Sequence, residues 1–128
     1  MANEPVKRAL IVEDAITDRT LLRQILTGLG YLVSEAADGE EGVQMVAKQG
    51  PFILSLVDWN MPKMNGLDFV RAVRANAKNK EMRIVMVTSE IEMDKIRTAL
   101  MIGANEYIMK PFSREMVNIK LKMLGLGG

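Results

Sequence analysis

Acidic, hydroxyl and basic side chains stand at the ends of four apolar runs in this sequence. Glu13 and Asp14 follow the first run, Asp58 ends the third, Thr88 follows the fourth and Lys110 follows the fifth. Carboxylates brought together repel one another unless a cation is present, and oxygen ligands of this density suit Mg²⁺. A lysine and a hydroxyl can stabilise the oxygens of a phosphoryl group, and a carboxylate can attack phosphorus to form an acyl phosphate. The residue types therefore predict magnesium-assisted phosphoryl chemistry centred on Asp58.

The apolar runs that carry these residues are short, rich in β-branched residues and continuous rather than alternating. Such runs are typical of strands that are covered on both faces, as in a parallel sheet. Because ligand sites in such sheets form outside the carboxyl ends of the strands, the polar residues should meet at one edge. The predicted strands are Ala9 to Val12, Leu32 to Val33, Phe52 to Val57, Ile84 to Val87 and Tyr107 to Met109.

Stretches with apolar residues at helical spacing follow the predicted strands. Asp38, Asn65 and Ser113 are suited to cap three of these helices. A strand–helix order repeated five times, with right-handed crossovers, predicts a doubly wound α/β sandwich that occupies residues 1 to 128 as a single domain. The predicted apolar stripes include Leu21, Leu22, Ile25, Leu26 and Leu29 in the first helix, Ile96, Ala99 and Leu100 in the fourth, and Met116, Val117, Leu121 and Leu124 in the fifth.

Composition excludes several classes of function. Seventeen Lys and Arg against sixteen Asp and Glu give a net charge of +1, which argues against a general affinity for nucleic acid or membrane. The chain has no cysteine and no histidine, so thiol chemistry, Ser-His catalysis and a phosphohistidine on this chain are excluded. Any phosphohistidine donor must be another protein. Without a membrane span or signal peptide, the chain is expected to be cytoplasmic.

Four motifs in this order resemble the receiver domain of two-component response regulators, and within it the CheY-like single-domain regulators. They are ED at 13–14, DWNMPKMNG at 58–66, VTSE at 87–90 and YIMKPF at 107–112. The likeness covers nearly the whole chain. It implies a flavodoxin-like (βα)5 fold with a parallel five-stranded sheet in the order 2-1-3-4-5.

The resemblance also implies a role for the matched residues. Asp58 is the expected phosphoryl acceptor, and Lys110 is expected to pair with the charge of the phosphoryl group. Glu13, Asp14 and Asp58 are expected to hold Mg²⁺ together with the backbone carbonyl of Asn60. Glu13 stands where many relatives have aspartate, and its longer side chain can still reach a metal through water.

Further implied roles concern signalling rather than chemistry. Thr88 should bond the phosphoryl group through its hydroxyl and draw Tyr107, the aromatic switch, inward. Asn60 and Glu90 should line the path by which water reaches phosphorus and so set the lifetime of the phosphoryl group. In this family the Lys-Pro bond that matches Lys110-Pro111 is cis.

The expected partners are a histidine kinase or histidine phosphotransfer protein as donor and an unnamed protein target. The target should dock on the face of the fourth helix, the fifth strand and the fifth helix, with the chain acting as a monomer. We expect a phosphoryl acceptor with its own self-phosphorylation and self-dephosphorylation chemistry rather than a conventional enzyme.

Three alternatives remain open at this point. The first is a receiver-like docking module that is never phosphorylated. The second is an aspartate-nucleophile phosphatase of the haloacid-dehalogenase type, which requires a second acid where Asn60 stands. The third is a flavodoxin-type nucleotide or flavin binder, which requires a hydroxyl- or glycine-rich loop where EDAITD stands.

Overall fold

The computed structural model describes residues 6–89 and 93–126, which contain a five-stranded parallel sheet. Neighbouring strands pair in the order β2-β1-β3-β4-β5. This confirms the predicted flavodoxin-like, doubly wound architecture, although several strands begin or end a few residues away from the predicted bounds. The strands are β1 (Arg8–Val12), β2 (Leu32–Ala36), β3 (Leu54–Asp58), β4 (Arg83–Thr88) and β5 (Glu106–Met109).

A helix follows each strand, as predicted. Over the residues described, none of these helices is long and apolar enough to cross a membrane. A short 3₁₀ helix at Ala77–Asn79, which the sequence did not predict, lies between the third helix and β4. The α-helices are α1 (Ile16–Gly28), α2 (Gly39–Gln49), α3 (Gly66–Arg74), α4 (Met93–Ile102) and α5 (Arg114–Met123).

Three helices begin at the capping residues that the sequence predicted. The side chains of Asp38, Asn65 and Ser113 each accept a hydrogen bond from the backbone N–H three residues further on, at 2.8, 2.9 and 3.2 Å. Such a bond satisfies one of the N–H groups that have no partner within the first turn of a helix. In contrast, α1 begins after Ala15, which provides no side-chain cap.

The helices cover both faces of the sheet. Alternate residues of β1 point to opposite sides, so that Leu10 packs with α2, α3 and α4, and Ile11 packs with α1 and α5. Residues of β3 are buried throughout the strand. Coverage on both sides explains why the strands are continuous apolar runs, and it leaves the carboxyl edge of the sheet as the place where polar side chains gather.

Candidate functional site

The polar residues predicted from the strand ends meet at the carboxyl edge of the sheet. Glu13 and Asp14 directly follow β1, Asp58 is the last residue of β3 and Lys110 directly follows β5. Thr88 is the last residue of β4, and its strand pairs with β3 on one side and β5 on the other. Pairing of neighbouring strands therefore brings together residues that are far apart in the sequence.

Three of these residues form an acidic cluster. Carboxylate oxygens of Glu13, Asp14 and Asp58 all lie within 4.8 Å of one another. Glu13 and Asp58 are buried, whereas Asp14 is exposed and opens the cluster to solvent. An all-oxygen donor set with one open side suits Mg²⁺, which usually keeps several of its water ligands in protein sites. The donor chemistry of this cluster therefore fits the predicted cation.

Lys110 places its ammonium group among the acids. Its Nζ lies 2.9 Å from Oε1 of Glu13, 3.0 Å from Oδ2 of Asp18 and 3.4 Å from Oδ1 of Asp58. The Lys110-Pro111 bond is cis, as the resemblance implied. The Lys110 side chain is only 19% exposed, so solvent screens its interactions with the three acids less than it would on an open surface.

Burial controls the ionisation of this cluster. It raises the pKa of Glu13 from 4.5 to about 7, although the hydrogen bond from Lys110 opposes the shift. Burial also raises the pKa of Asp58, against the opposing charge of Lys110. For Lys110 itself, burial lowers the pKa, but the hydrogen bonds to Glu13 and Asp18 outweigh this effect and leave the pKa raised. The site thus combines a charged lysine with acids whose ionisation a bound cation would favour.

The loop after β3 fixes the position of Asp58. The backbone N–H of Gly66 donates to the carbonyl of Trp59 at 2.9 Å, which closes the loop just after the strand. A Cβ at Gly66 would lie 2.3 Å from the backbone carbonyl oxygen of Asp58, so only glycine allows this close approach. Trp59 is buried and Asn60 is exposed, which places Asn60 at the solvent side of the loop.

Thr88 and Tyr107 border the same narrow gap beneath α4. Thr88 is buried and Tyr107 is half-buried. The ring of Tyr107 lies 4.7 Å from Nζ of Lys120, which also forms a 3.1 Å ion pair with Glu106. The gap is lined by Trp59, Met86, Thr88, Ile96, Ala99, Leu100, Glu106 and Tyr107.

The structure thus gathers most of the predicted residues and adds one that was missed. Glu13, Asp14, Asp58 and Lys110 are in direct proximity, Thr88 ends the strand between β3 and β5, and Asn60 is on the adjacent loop. Glu90 lies outside the described residues. Asp18 was missed, although it lies in the first turn of the helix that follows Glu13 and Asp14, where an acid can reach back toward the strand ends.

The fold and this arrangement define a receiver domain: residues 9–122 match the response regulator receiver domain, and the chain belongs to that family. Within the family it is similar to chemotaxis proteins. The CheY homolog of Campylobacter jejuni is 41% identical over 122 residues, which cover 94% of each chain. The CheY1 protein of Helicobacter pylori is 38% identical over 118 residues, covering 91% of this chain and 95% of that protein.

Solved structures agree with this class. Chemotaxis protein CheY4 of Vibrio cholerae superposes with a TM-score of 0.87 at 34% identity, covering 93% of this chain and 98% of that one. The receiver domain of a sensor histidine kinase from Pseudomonas aeruginosa superposes with a TM-score of 0.81 at 29% identity, covering 94% of this chain and 99% of that one. That receiver domain holds a magnesium ion coordinated in its active site cleft. The chain is therefore a CheY-like receiver domain of two-component signalling.

Proposed function

We propose that Asp58 accepts a phosphoryl group from a phosphohistidine on a histidine kinase or phosphotransfer protein. The observation that carries this proposal is the position of the Asp58 carboxylate, 3.4 Å from the Lys110 ammonium and within 4.8 Å of two other acids. Residues 1–128 contain no histidine, so the phosphohistidine that donates the group lies outside them. We take the single receiver domain to extend over residues 1 to 128.

The reaction is an in-line displacement at phosphorus. A carboxylate oxygen of Asp58 forms the new bond to phosphorus, and the bond from phosphorus to the donor nitrogen breaks with its electron pair going to the donor. Lys110 offsets negative charge on the transferred oxygens, and the Thr88 hydroxyl donates a hydrogen bond to one of them. Lys110 and Thr88 thus stabilise the transferred phosphoryl group, while Asp58 is the nucleophile.

The acidic cluster would hold Mg²⁺ through Glu13, Asp14 and Asp58, with the backbone carbonyl of Asn60 as a further ligand. When bound, this ion supplies positive charge that neutralises the acids and the transferred oxygens. Without it, burial raises the pKa of Glu13 and of Asp58, so ionising both of these acids is unfavourable.

Phosphorylation is proposed to change which surface the domain offers to a protein target. The face formed by α4, β5 and α5 carries Tyr107 and several exposed apolar side chains, of which Met101 is 81% exposed. Ile119 and Met123 on α5 are also exposed. We propose that a protein docks on this face and that the chain acts as a monomer, without nucleic acid or membrane.

The phosphoryl group should be short-lived, because the site also allows water to approach phosphorus. Asn60 is polar and exposed two residues beyond Asp58, where it can orient a water molecule. We propose that Glu90 helps Asn60 to orient this water molecule. Self-dephosphorylation therefore accompanies the acceptor chemistry, and the decay of the adduct in the next experiment measures it.

Intact-mass spectrometry after treatment with acetyl phosphate and Mg²⁺ tests the acceptor. The wild type should gain one phosphoryl group, and Asp58→Asn should gain none because its amide is not a nucleophile. Asp68→Asn is the matched control, since Asp68 is exposed on α3 and pairs with Arg71 outside the site. An adduct that persists in Asp58→Asn, or none in the wild type, would contradict the proposal and favour the unphosphorylated docking module.

Thr88→Ala should separate phosphorylation from the change at the docking face. The variant should still form the adduct, because Asp58 and Lys110 remain in place. The change in the NMR signals of the Tyr107 ring on phosphorylation should fall below about half of its wild-type size, because the hydroxyl no longer links the phosphoryl group to the gap. Tyr31, the other tyrosine, provides the internal reference. If the Tyr107 signals of Thr88→Ala change on phosphorylation as much as those of the wild type, Thr88 is not part of the signalling route.

A further inference from the structure

Asp18 is a fourth carboxylate at the site and a direct partner of Lys110. Its Oδ2 lies 3.0 Å from Nζ of Lys110, which is closer than the 3.4 Å between that nitrogen and Oδ1 of Asp58. The Lys110 ammonium donates a hydrogen bond to Glu13 at 2.9 Å and forms ion pairs with Asp18 and Asp58. The two shorter contacts therefore go to the acids that do not accept the phosphoryl group.

The position of Asp18 is fixed by the start of α1. The neighbouring Arg19 donates from Nη1 to the backbone carbonyl of Glu13 at 2.9 Å, and its Nε lies 2.9 Å from Oε1 of Glu35. These contacts attach the first turn of α1 to the ends of β1 and β2. The Asp18 side chain is 35% exposed, so its ion pair with the largely buried Lys110 is only partly screened by solvent.

Other aspartates in first turns of helices behave differently. Asp68 of α3 pairs with Arg71, and Asp94 of α4 pairs with Arg97, each within its own helix. The helix dipole favours an acid near a helix N-terminus. Asp68 and Asp94 show this ordinary arrangement, with a partner in the same helix. Asp18 instead reaches across to the loop after β5, where the lysine of the site lies.

We propose that Asp18 is a positioning residue that competes with the phosphoryl group on Asp58 for the Lys110 ammonium. This inference rests on the proposed function. In the structure, Asp18 and Glu13 hold the ammonium slightly away from Asp58. Lys110 must leave Asp18 to approach the oxygens that arrive on Asp58. The negative charge of Asp18 also repels an anionic phosphoryl donor. Both effects slow phosphoryl entry.

Removing the negative charge of Asp18 should raise the phosphorylation rate and lower the affinity for Mg²⁺. In Asp18→Asn, acetyl phosphate should phosphorylate Asp58 about three- to tenfold faster at saturating Mg²⁺, because Lys110 is free to move and repulsion is smaller. Mg²⁺ itself should bind a few-fold more weakly, since the site has lost one negative charge. A merely structural defect would not raise the rate, so the gain identifies a positioning role.

The test compares Asp18→Asn, Asp18→Glu and the control Asp68→Asn with the wild type. Phosphorylation rates come from intact mass over time with acetyl phosphate, and Mg²⁺ affinity comes from Trp59 emission. Asp18→Glu should restore a slow rate and tight Mg²⁺ binding, while Asp68→Asn should match the wild type in both.

The outcomes separate this inference from the proposed function. If the wild type is labelled at Asp58 and Asp18→Asn is no faster, competition by Asp18 is refuted while the acceptor role stands. If the wild type takes no phosphoryl group at all, both are refuted. If Asp68→Asn is also faster, the gain reflects general surface charge, and the specific role of Asp18 is refuted.

Discussion

Replacing Arg74 by methionine should lower the free energy of unfolding by about 2–4 kcal/mol. The Arg74 guanidinium donates to the carbonyls of Gly103, Asn79 and Met82 at 2.9, 2.7 and 2.7 Å, and to Oδ1 of Asn105 at 2.8 Å. Methionine preserves much of the side-chain volume but provides no donor. The carbonyls of two connections, between α3 and β4 and between α4 and β5, would then lose a charged partner in a partly buried setting.

Gly103 makes this network possible. Its φ is +128°, and a Cβ there would lie 2.7 Å from Cγ of Arg74. Glycine at the end of α4 thus allows the backbone conformation and also leaves room for the arginine side chain to pass. The guanidinium consequently joins the end of α3 to the α3–β4 and α4–β5 connections.

Urea unfolding of three variants measures the contribution of Arg74. Arg71→Met is the matched control, because Arg71 lies three residues earlier in α3 and makes only a 3.6 Å ion pair with Asp68 among its described contacts. Its unfolding free energy should stay within about 0.5 kcal/mol of the wild type. Arg74→Lys should recover only part of the loss, because an ammonium cannot reach four acceptors at once. An Arg74→Met variant as stable as Arg71→Met would show that water replaces the guanidinium without cost.

The sequence predicted the sheet better than the surfaces of the helices. Continuous apolar runs identify β1, β3 and β4 because both faces of those strands are covered. Helices have one buried stripe, and apolar side chains beyond that stripe are not distinguished by spacing alone. Leu21, Leu100 and Met116 were placed in the apolar stripes of their helices, yet each is about two-fifths exposed. The 3₁₀ helix was missed because a single short turn has no periodic pattern.

The site was predictable where its residues directly follow strands and unpredictable where contacts depend on side-chain reach. Asp58 and Lys110 could be placed because parallel strands end at one edge of the sheet. Asp18 could not be assigned to Lys110, since nothing in its spacing shows which neighbour a first-turn acid contacts. The Arg74 network was also unpredictable, because its acceptors are mostly backbone carbonyls that any residue could provide.

Glu13 should make the metal-free protein less stable as pH rises from about 4.5 to about 7. Its pKa is raised from 4.5 to about 7 by burial, so the folded state binds the proton more tightly than the unfolded state. The stabilising effect of the bound proton is complete below pH 4.5 and is lost as pH rises through the folded pKa. The expected loss is about 2–4 kcal/mol, because the pKa rises from 4.5 to about 7 and each pKa unit corresponds to about 1.4 kcal/mol.

Glu13→Gln should remove the part of this pH dependence that comes from Glu13, because glutamine stays neutral and its oxygen can still accept from Lys110. At pH 8 without Mg²⁺ the variant should therefore be about 2–4 kcal/mol more stable than the wild type, and near pH 4.5 the two should be similar. Asp58 contributes in the same direction through its own raised pKa, so some slope should remain. Glu40→Gln, at an exposed position of α2, is the matched control and should follow the wild type.

Adding Mg²⁺ at pH 8 should make the wild type more stable than Glu13→Gln, which reverses their order without the ion. A cation favours the ionised carboxylates, so it should restore stability to the wild type and do less for Glu13→Gln, which has lost one ligand charge. Unfolding free energies measured from pH 4.5 to 8, with and without Mg²⁺, provide the comparison. If stability without Mg²⁺ rises with pH across this range and Glu13→Gln has the same profile, Glu13 is not held neutral by burial. The buried acid would then not be the group that couples metal binding to the stability of the fold.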